Sequence, residues 1–161
     1  RILGAEVFYF SQLSKMPRED LNRLCVGGTK LLMVEMPLEN WEESVFNCLE
    51  ELMYDRNLIP ILAHIDRYYR FIKDVERLEP LIREGLLVQM NAGALLSFTT
   101  RRNALKWILA DRVQLLGSDC HNMSTRKPNL GEAYKVLSSK IGEAGAEECV
   151  KSTRGNYDER E

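Results

Sequence analysis

No stretch of this chain is apolar over anything near the ~20 residues a helix needs to cross a bilayer, so no membrane insertion is expected. It carries no basic block or tail, which argues against nucleic acid as a partner. There is no Gly-X-Y period, no low-complexity tract and no repeat at solenoid spacing. Gly27-Gly28 reads as a turn, because the Gly-x-x-x-x-Gly-Lys phosphate loop is missing. Histidine is scarce, with only His64 and His121. Cys25, Cys48, Cys120 and Cys149 include no Cys-x-x-Cys pair. They read as reduced thiols of a cytoplasmic protein rather than as a disulfide framework or zinc cluster.

What remains is ordinary for a globular domain. The 161 residues are 45% apolar and 29% charged, and 22 Lys plus Arg against 24 Asp plus Glu leave a formal charge of −2. A chain of this length buries roughly 70% of its unfolded surface, enough for one core. One domain is expected over residues 1–145, followed by a polar, frayed tail over 146–161. The chain opens on Arg1 and enters an apolar run at once, which leads us to expect a piece of a longer protein.

Short apolar runs alternate with helical patterns. Strands are expected over 2–6, 29–35, 58–64, 86–90 and 113–116, and helices over 16–24, 41–56, 71–83, 101–110 and 130–144. The second helix is the clearest. Trp41, Val45, Cys48, Leu49, Leu52 and Met53 share one face, and Asn40 is its expected N-cap. Pro80 is expected to break the third. Five strand–helix alternations with uninterrupted apolar strands predict an α/β domain whose parallel sheet is covered on both faces.

The polar residues fall at the ends of these runs. Glu6 closes the first, Glu35 the second and His64 the third; Asn91 follows the fourth, and Asp119 and His121 the fifth. In parallel α/β folds the active site lies at the carboxyl ends of the strands. Asp119 and His121 are two apart, so on an extended segment they point the same way. Carboxylates with imidazoles suit manganese, iron or zinc. Singly, each of these is ordinary: a glutamate at a strand end is usually solvated, and a lone histidine is usually a satisfied core residue. Arg67, three after His64, and Arg126, five after His121, belong to the same rim. Guanidinium forks grip phosphoryl oxygens, although a surface ion pair is the commoner use of a lone arginine. Metals and arginines together point to phosphate-ester hydrolysis. A rival reading starts from Cys120, which with Arg126 has the Cys-x5-Arg spacing of cysteine-dependent phosphatases but lacks the glycines of their loop. Otherwise Cys120 reads as a packing residue that points away from Asp119 and His121, and Trp41 and Trp107 as core.

Five segments carry a family resemblance. They are Gly-Ala-Glu-Val-Phe-Tyr at 4–9, Leu-Leu-Met-Val-Glu-Met-Pro at 31–37, Ile-Leu-Ala-His-Ile-Asp-Arg-Tyr at 61–68, Gln-Met-Asn-Ala-Gly-Ala-Leu-Leu at 89–96, and Ser-Asp-Cys-His-Asn at 118–122 with Arg126 and Pro128 beyond. In this order they resemble the bacterial protein-tyrosine phosphatases of capsule and exopolysaccharide biosynthesis, within the PHP (polymerase and histidinol phosphatase) superfamily. The resemblance implies a distorted, TIM-like (β/α)7 barrel, of which about five units are present here. It implies two or three divalent metal ions, most often manganese, with iron or magnesium as alternatives. Carried over residue by residue, Glu6, Glu35, His64, Asp119 and His121 would hold the metals, and Arg67 and Arg126 the substrate phosphate. A metal-bridging hydroxide would attack phosphorus in line. The implied substrate is the phosphotyrosine-rich tail of a bacterial tyrosine autokinase that controls polysaccharide export. Ile65-Asp66 and Cys120 depart from the family's usual Pro-Glu and Ala but spare the ligands. The family's His-x-His strand is missing from this sequence, so weak or no turnover is expected of the 161 residues by themselves. The alternatives are another PHP phosphoesterase, such as one acting on histidinol phosphate, and a binding-only fragment.

Overall fold

The computed structural model describes residues 3–69, 71–72, 75–122 and 128–158, with side chains at 148 and 150–158 left aside. Five parallel strands follow one another in chain order: β1 (Glu6–Phe8), β2 (Leu31–Glu35), β3 (Ile59–Ala63), β4 (Leu87–Asn91) and β5 (Leu115–Gly117). Between them lie α1 (Arg18–Leu24), α2 (Glu43–Glu50), α3 (Leu78–Arg83), α4 (Gly93–Leu96) and α5 (Arg101–Leu109), and α6 (Leu130–Asp158) closes the chain. The predicted α/β class and parallel sheet are therefore what forms. Two compact units divide the chain, one reaching Val88 and the other beginning at Gln89.

In the first unit, β2 and β3 are the centre. Leu31, Leu32, Val34, Ile61, Leu62 and Ala63 are buried, which is why these runs are continuously apolar. Pro60 sits inside β3 without breaking it. Ile59 donates to Lys30 O at 2.8 Å, so the next nitrogen along faces away from β2, and pairing to β4 starts only at Ile61. The missing N–H of Pro60 is thus one the ladder does not use. The expected strand over 2–6 is corrected. β1 begins at Glu6, because the backbone before it is bonded elsewhere: Gly27 N donates to Leu3 O (2.7 Å) and Ala5 N to Leu24 O (3.1 Å). Gly4 lets this crossing close up, since a Cβ there would lie 2.8 Å from Val26 Cα.

The helix predicted over 41–56 begins two residues late. Glu42, not Asn40, is the N-cap, and no side-chain cap bond forms. Trp41 instead packs ahead of the helix, its indole N–H donating to Pro37 O at 3.3 Å and its ring meeting Phe46 and Tyr68. After Glu50 the helix widens into a π turn over Glu51–Asp55, with Arg56 N donating to Glu51 O at 3.0 Å. Arg56 then fastens this end to the segment before α1, through Nε to Ser14 O (2.7 Å) and Nη2 to Met16 O (3.3 Å). Of the helix predicted over 71–83, the described part is a 3-10 turn at Val75–Arg77 leading into α3. Pro80 does not break α3. It is the third residue, where a helical N–H has no intrahelical partner in any case.

In the second unit β4 and β5 pair from Gln89↔Leu115 to Asn91↔Gly117. Arg101 covers the last carbonyls of α4, with Nε to Leu95 O (2.6 Å) and Nη2 to Leu96 O (2.8 Å). The polar tail expected from 146 is instead helical: α6 continues to Asp158, past a non-helical Gly142, and Ala146 is fully buried. Alanine, glutamate and lysine are good helix formers, so polarity there does not mean disorder. Among the described residues no helix is long and apolar enough to cross a membrane.

Candidate metal and phosphate site

Strand register builds the cluster in the first unit. Glu6 pairs with Met33 and Phe8 with Glu35 across β1 and β2, while Glu35 pairs with Ala63 across β2 and β3. Register partners in parallel strands share a sheet face, and so do residues two apart. Glu6 and Glu35 therefore project on one side. His64 follows directly after β3 and would face the other side if the strand continued. It does not continue: His64 adopts the left-handed conformation (φ 55°, ψ 44°) and caps the 3-10 turn Ile65–Arg67. That single residue swings the imidazole towards the carboxylates. Left-handed backbone in a residue other than glycine costs energy and recurs at functional sites.

The outcome is compact. One ligand atom from each of Glu6, Glu35 and His64 lies within 4.8 Å of the others. His64 Nε2 and Glu6 Oε1 are 2.9 Å apart, and Arg67 Nη1 donates to Glu35 Oε1 at 3.0 Å. His64 is buried, while Glu35 and Arg67 are each about 30% exposed, so the cluster has a dry floor and an open mouth. Two carboxylates and an imidazole make an oxygen–nitrogen donor set that fits a divalent first-row cation. Glu6 opens β1 rather than closing an apolar run, yet the register still delivers it to the cluster.

Tyr68, passed over in the sequence reading, lies beneath this site. It is fully buried. Burial, reinforced by the negative charge of Glu35, pushes its phenol up to about 12. Its position in the 61–68 segment directly after Arg67 was the available signal.

Asp119 and His121 form a pair of their own in the second unit, with His121 Nε2 3.0 Å from Asp119 Oδ1. The expected geometry is corrected here. β5 ends at Gly117 and Asp119 is left-handed (φ 48°), so the segment is not an extended strand. Cys120 is exposed rather than packed, its thiol donating to Asn122 O at 3.6 Å. Asn91 is buried and accepts from Gln89 Nε2 at 3.2 Å. Arg126 lies outside the described residues.

Comparison with known proteins places these features in a family. Residues 2–155 match the model of the capsular polysaccharide synthesis family CpsB/CapC. The chain belongs to that family. It is 26% identical over 154 positions to the tyrosine-protein phosphatase CpsB of Streptococcus agalactiae, a match covering 90% of this chain and 62% of that protein. It is 28% identical over 125 positions to the tyrosine-protein phosphatase YwqE of Bacillus subtilis, covering 74% of this chain and 48% of YwqE. Its fold superposes with a TM-score of 0.76, at 21% identity, on a chain from the crystal structures of B. subtilis YwqE and Streptococcus pneumoniae CpsB, described as metal-dependent tyrosine phosphatases. That match covers 94% of this chain and 63% of the solved one. The chain thus spans about three fifths (62%) of the length of the S. agalactiae relative. The resemblance read from the five sequence segments is borne out at the level of the family.

Proposed function

We propose that this chain carries the site of a metal-dependent protein-tyrosine phosphatase acting, in the cytoplasm, on the phosphotyrosine tail of a bacterial tyrosine kinase that controls capsular polysaccharide synthesis. The observation that carries this reading is the meeting of Glu6 of β1, Glu35 of β2 and His64 just after β3 within 4.8 Å and with Arg67 alongside. Family membership and the names of the relatives agree with it. The whole protein is proposed to be a distorted (β/α)7 barrel, with the phosphatase domain over residues 1–145.

Glu6, Glu35 and His64 hold a divalent ion, manganese in the first instance, with iron or magnesium as alternatives. Asp119 and His121 are proposed as further ligands. When bound, the ion supplies Lewis-acid charge at the phosphoryl group and activates water. The residues do the rest. Glu6 fixes the imidazole through its 2.9 Å contact to Nε2. Glu35 aims the planar guanidinium of Arg67, whose geometry matches two phosphoryl oxygens. Arg126 is proposed as the second phosphate ligand. A phenolate leaving group, of pKa near 10 in water, departs with less proton donation than an alkoxide would need.

The test is release of phosphate from a phosphotyrosyl peptide during manganese titration, repeated with EDTA, beside calorimetric Mn2+ binding. Mn2+ binding that Glu35→Gln weakens is the expected result, with whatever weak turnover the 161 residues show dependent on manganese and abolished by EDTA. EDTA-resistant turnover lost in Cys120→Ser would replace this reading with cysteine catalysis. No turnover together with no Mn2+ binding sensitive to Glu35→Gln would overturn it.

A further inference from the structure

We propose that Phe8 determines specificity at this site, its ring forming the wall against which the aryl group of the substrate lies. The inference rests on the phosphatase reading and adds how the leaving group is recognised.

Phe8 is the last residue of β1 and the register partner of Glu35, and it stands two residues beyond Glu6. By strand alternation these three side chains leave the same sheet face, so the ring emerges beside the carboxylates at the end where Arg67 bonds Glu35. Tyr9, between Phe8 and Phe10, faces the other way and hydrogen-bonds Ser44 of α2. In this chain the ring is 61% exposed.

A single exposed apolar side chain means little. Here there are three, in the two chain segments that carry Glu6 and Glu35. Phe10 is 43% exposed two residues past β1, and Leu38 is 62% exposed three residues past Glu35. A charged centre with the Phe8 ring on the same sheet face matches a ligand with a dianionic head and a flat apolar body. An aryl phosphate is such a ligand; an alkyl phosphate offers the head without the ring.

The experiment titrates the Mn2+-loaded chain with phenylphosphonate and with methylphosphonate, which share the dianionic head and differ in the ring. The unsubstituted protein is expected to bind the phenyl compound about tenfold more tightly, the scale of one aromatic pair. Phe8→Ala is expected to lose most of that ratio while its methylphosphonate affinity stays within about twofold, which also reports an intact fold. Phe8→Tyr is expected to keep the ratio. A ratio unchanged in Phe8→Ala overturns the proposal alone. Failure of both phosphonates to bind the metal-loaded protein overturns the phosphatase reading, and this proposal with it.

Discussion

Replacing Arg67 by glutamine should move two affinities in opposite directions. Without metal, Arg67 neutralises Glu35 across a 3.0 Å hydrogen bond, with both side chains about 30% exposed. A cation that takes Glu35 must share that carboxylate with the guanidinium and sit near its charge. Ion pairs of this partial exposure are worth about 1 kcal/mol after screening, so Arg67→Gln should tighten Mn2+ binding about fivefold. On the proposed reading the same substitution removes a charge-assisted hydrogen bond to a phosphoryl oxygen, worth about 1.5–3 kcal/mol, and should weaken inorganic phosphate about 10- to 100-fold. Calorimetry on chelator-stripped protein gives the first number, and a phosphate titration of the loaded protein gives the second. Raising the salt from 0.05 to 0.5 M should shrink the metal effect, since the pair is partly exposed. Mn2+ binding that weakens in Arg67→Gln would refute the competition. Unchanged phosphate affinity would show that Arg67 only braces Glu35.

Three further outcomes follow from the geometry. His64→Asn keeps a residue that tolerates the left-handed backbone but loses the imidazole; Mn2+ affinity should fall at least about tenfold while the thermal midpoint moves by about 2 °C or less. Tyr68 is neutral in both states below pH 10; above it the unfolded phenol ionises while the folded one, at about 12, does not. Stability should therefore be lost as pH rises from about 10 to 12, by at most about 3 kcal/mol, and urea titrations should show a smaller loss for Tyr68→Phe. Gly4→Ala puts a methyl 2.7 Å from Val26 Cγ2 and 2.8 Å from its Cα, an overpacking of about 1–3 kcal/mol that calorimetry should register as a midpoint lowered by several degrees.

The sequence was most legible where burial is two-sided. β2, β3 and β4 announce themselves as apolar runs because both their faces are covered, and their boundaries were read to within two residues. It misled at 2–6, where Leu3 is exposed and the backbone bonds to Leu24 and Gly27, at and just beyond the end of α1. It misled again at Trp41, whose burial fits the helix face although the residue precedes the helix. Glu6, Glu35 and His64 were identified from their places at the edges of apolar runs, but the turn that brings His64 round was invisible. No local pattern marks a histidine as left-handed. Extended geometry at Asp119 was assumed for the same reason and proved wrong. Phe8 was hidden by its company, since an aromatic in a strand ordinarily means core.

The backbone at His64 and Asp119 also limits how this site can change over evolutionary time. At φ near +50°, side chains branched at Cβ collide with their own main chain, while Asn, Asp, His and Gly are tolerated. A drift at either position to valine, isoleucine or threonine would be removed by its cost in folding before its chemistry was ever tested. The residue types that survive that filter, glycine apart, are ones that can donate a lone pair. A lineage that lost its catalytic function would therefore be expected to go on showing ligand-like residues at 64 and 119. Those two positions are poor witnesses to whether a relative still works, and Glu35, on unstrained strand backbone, is the better one.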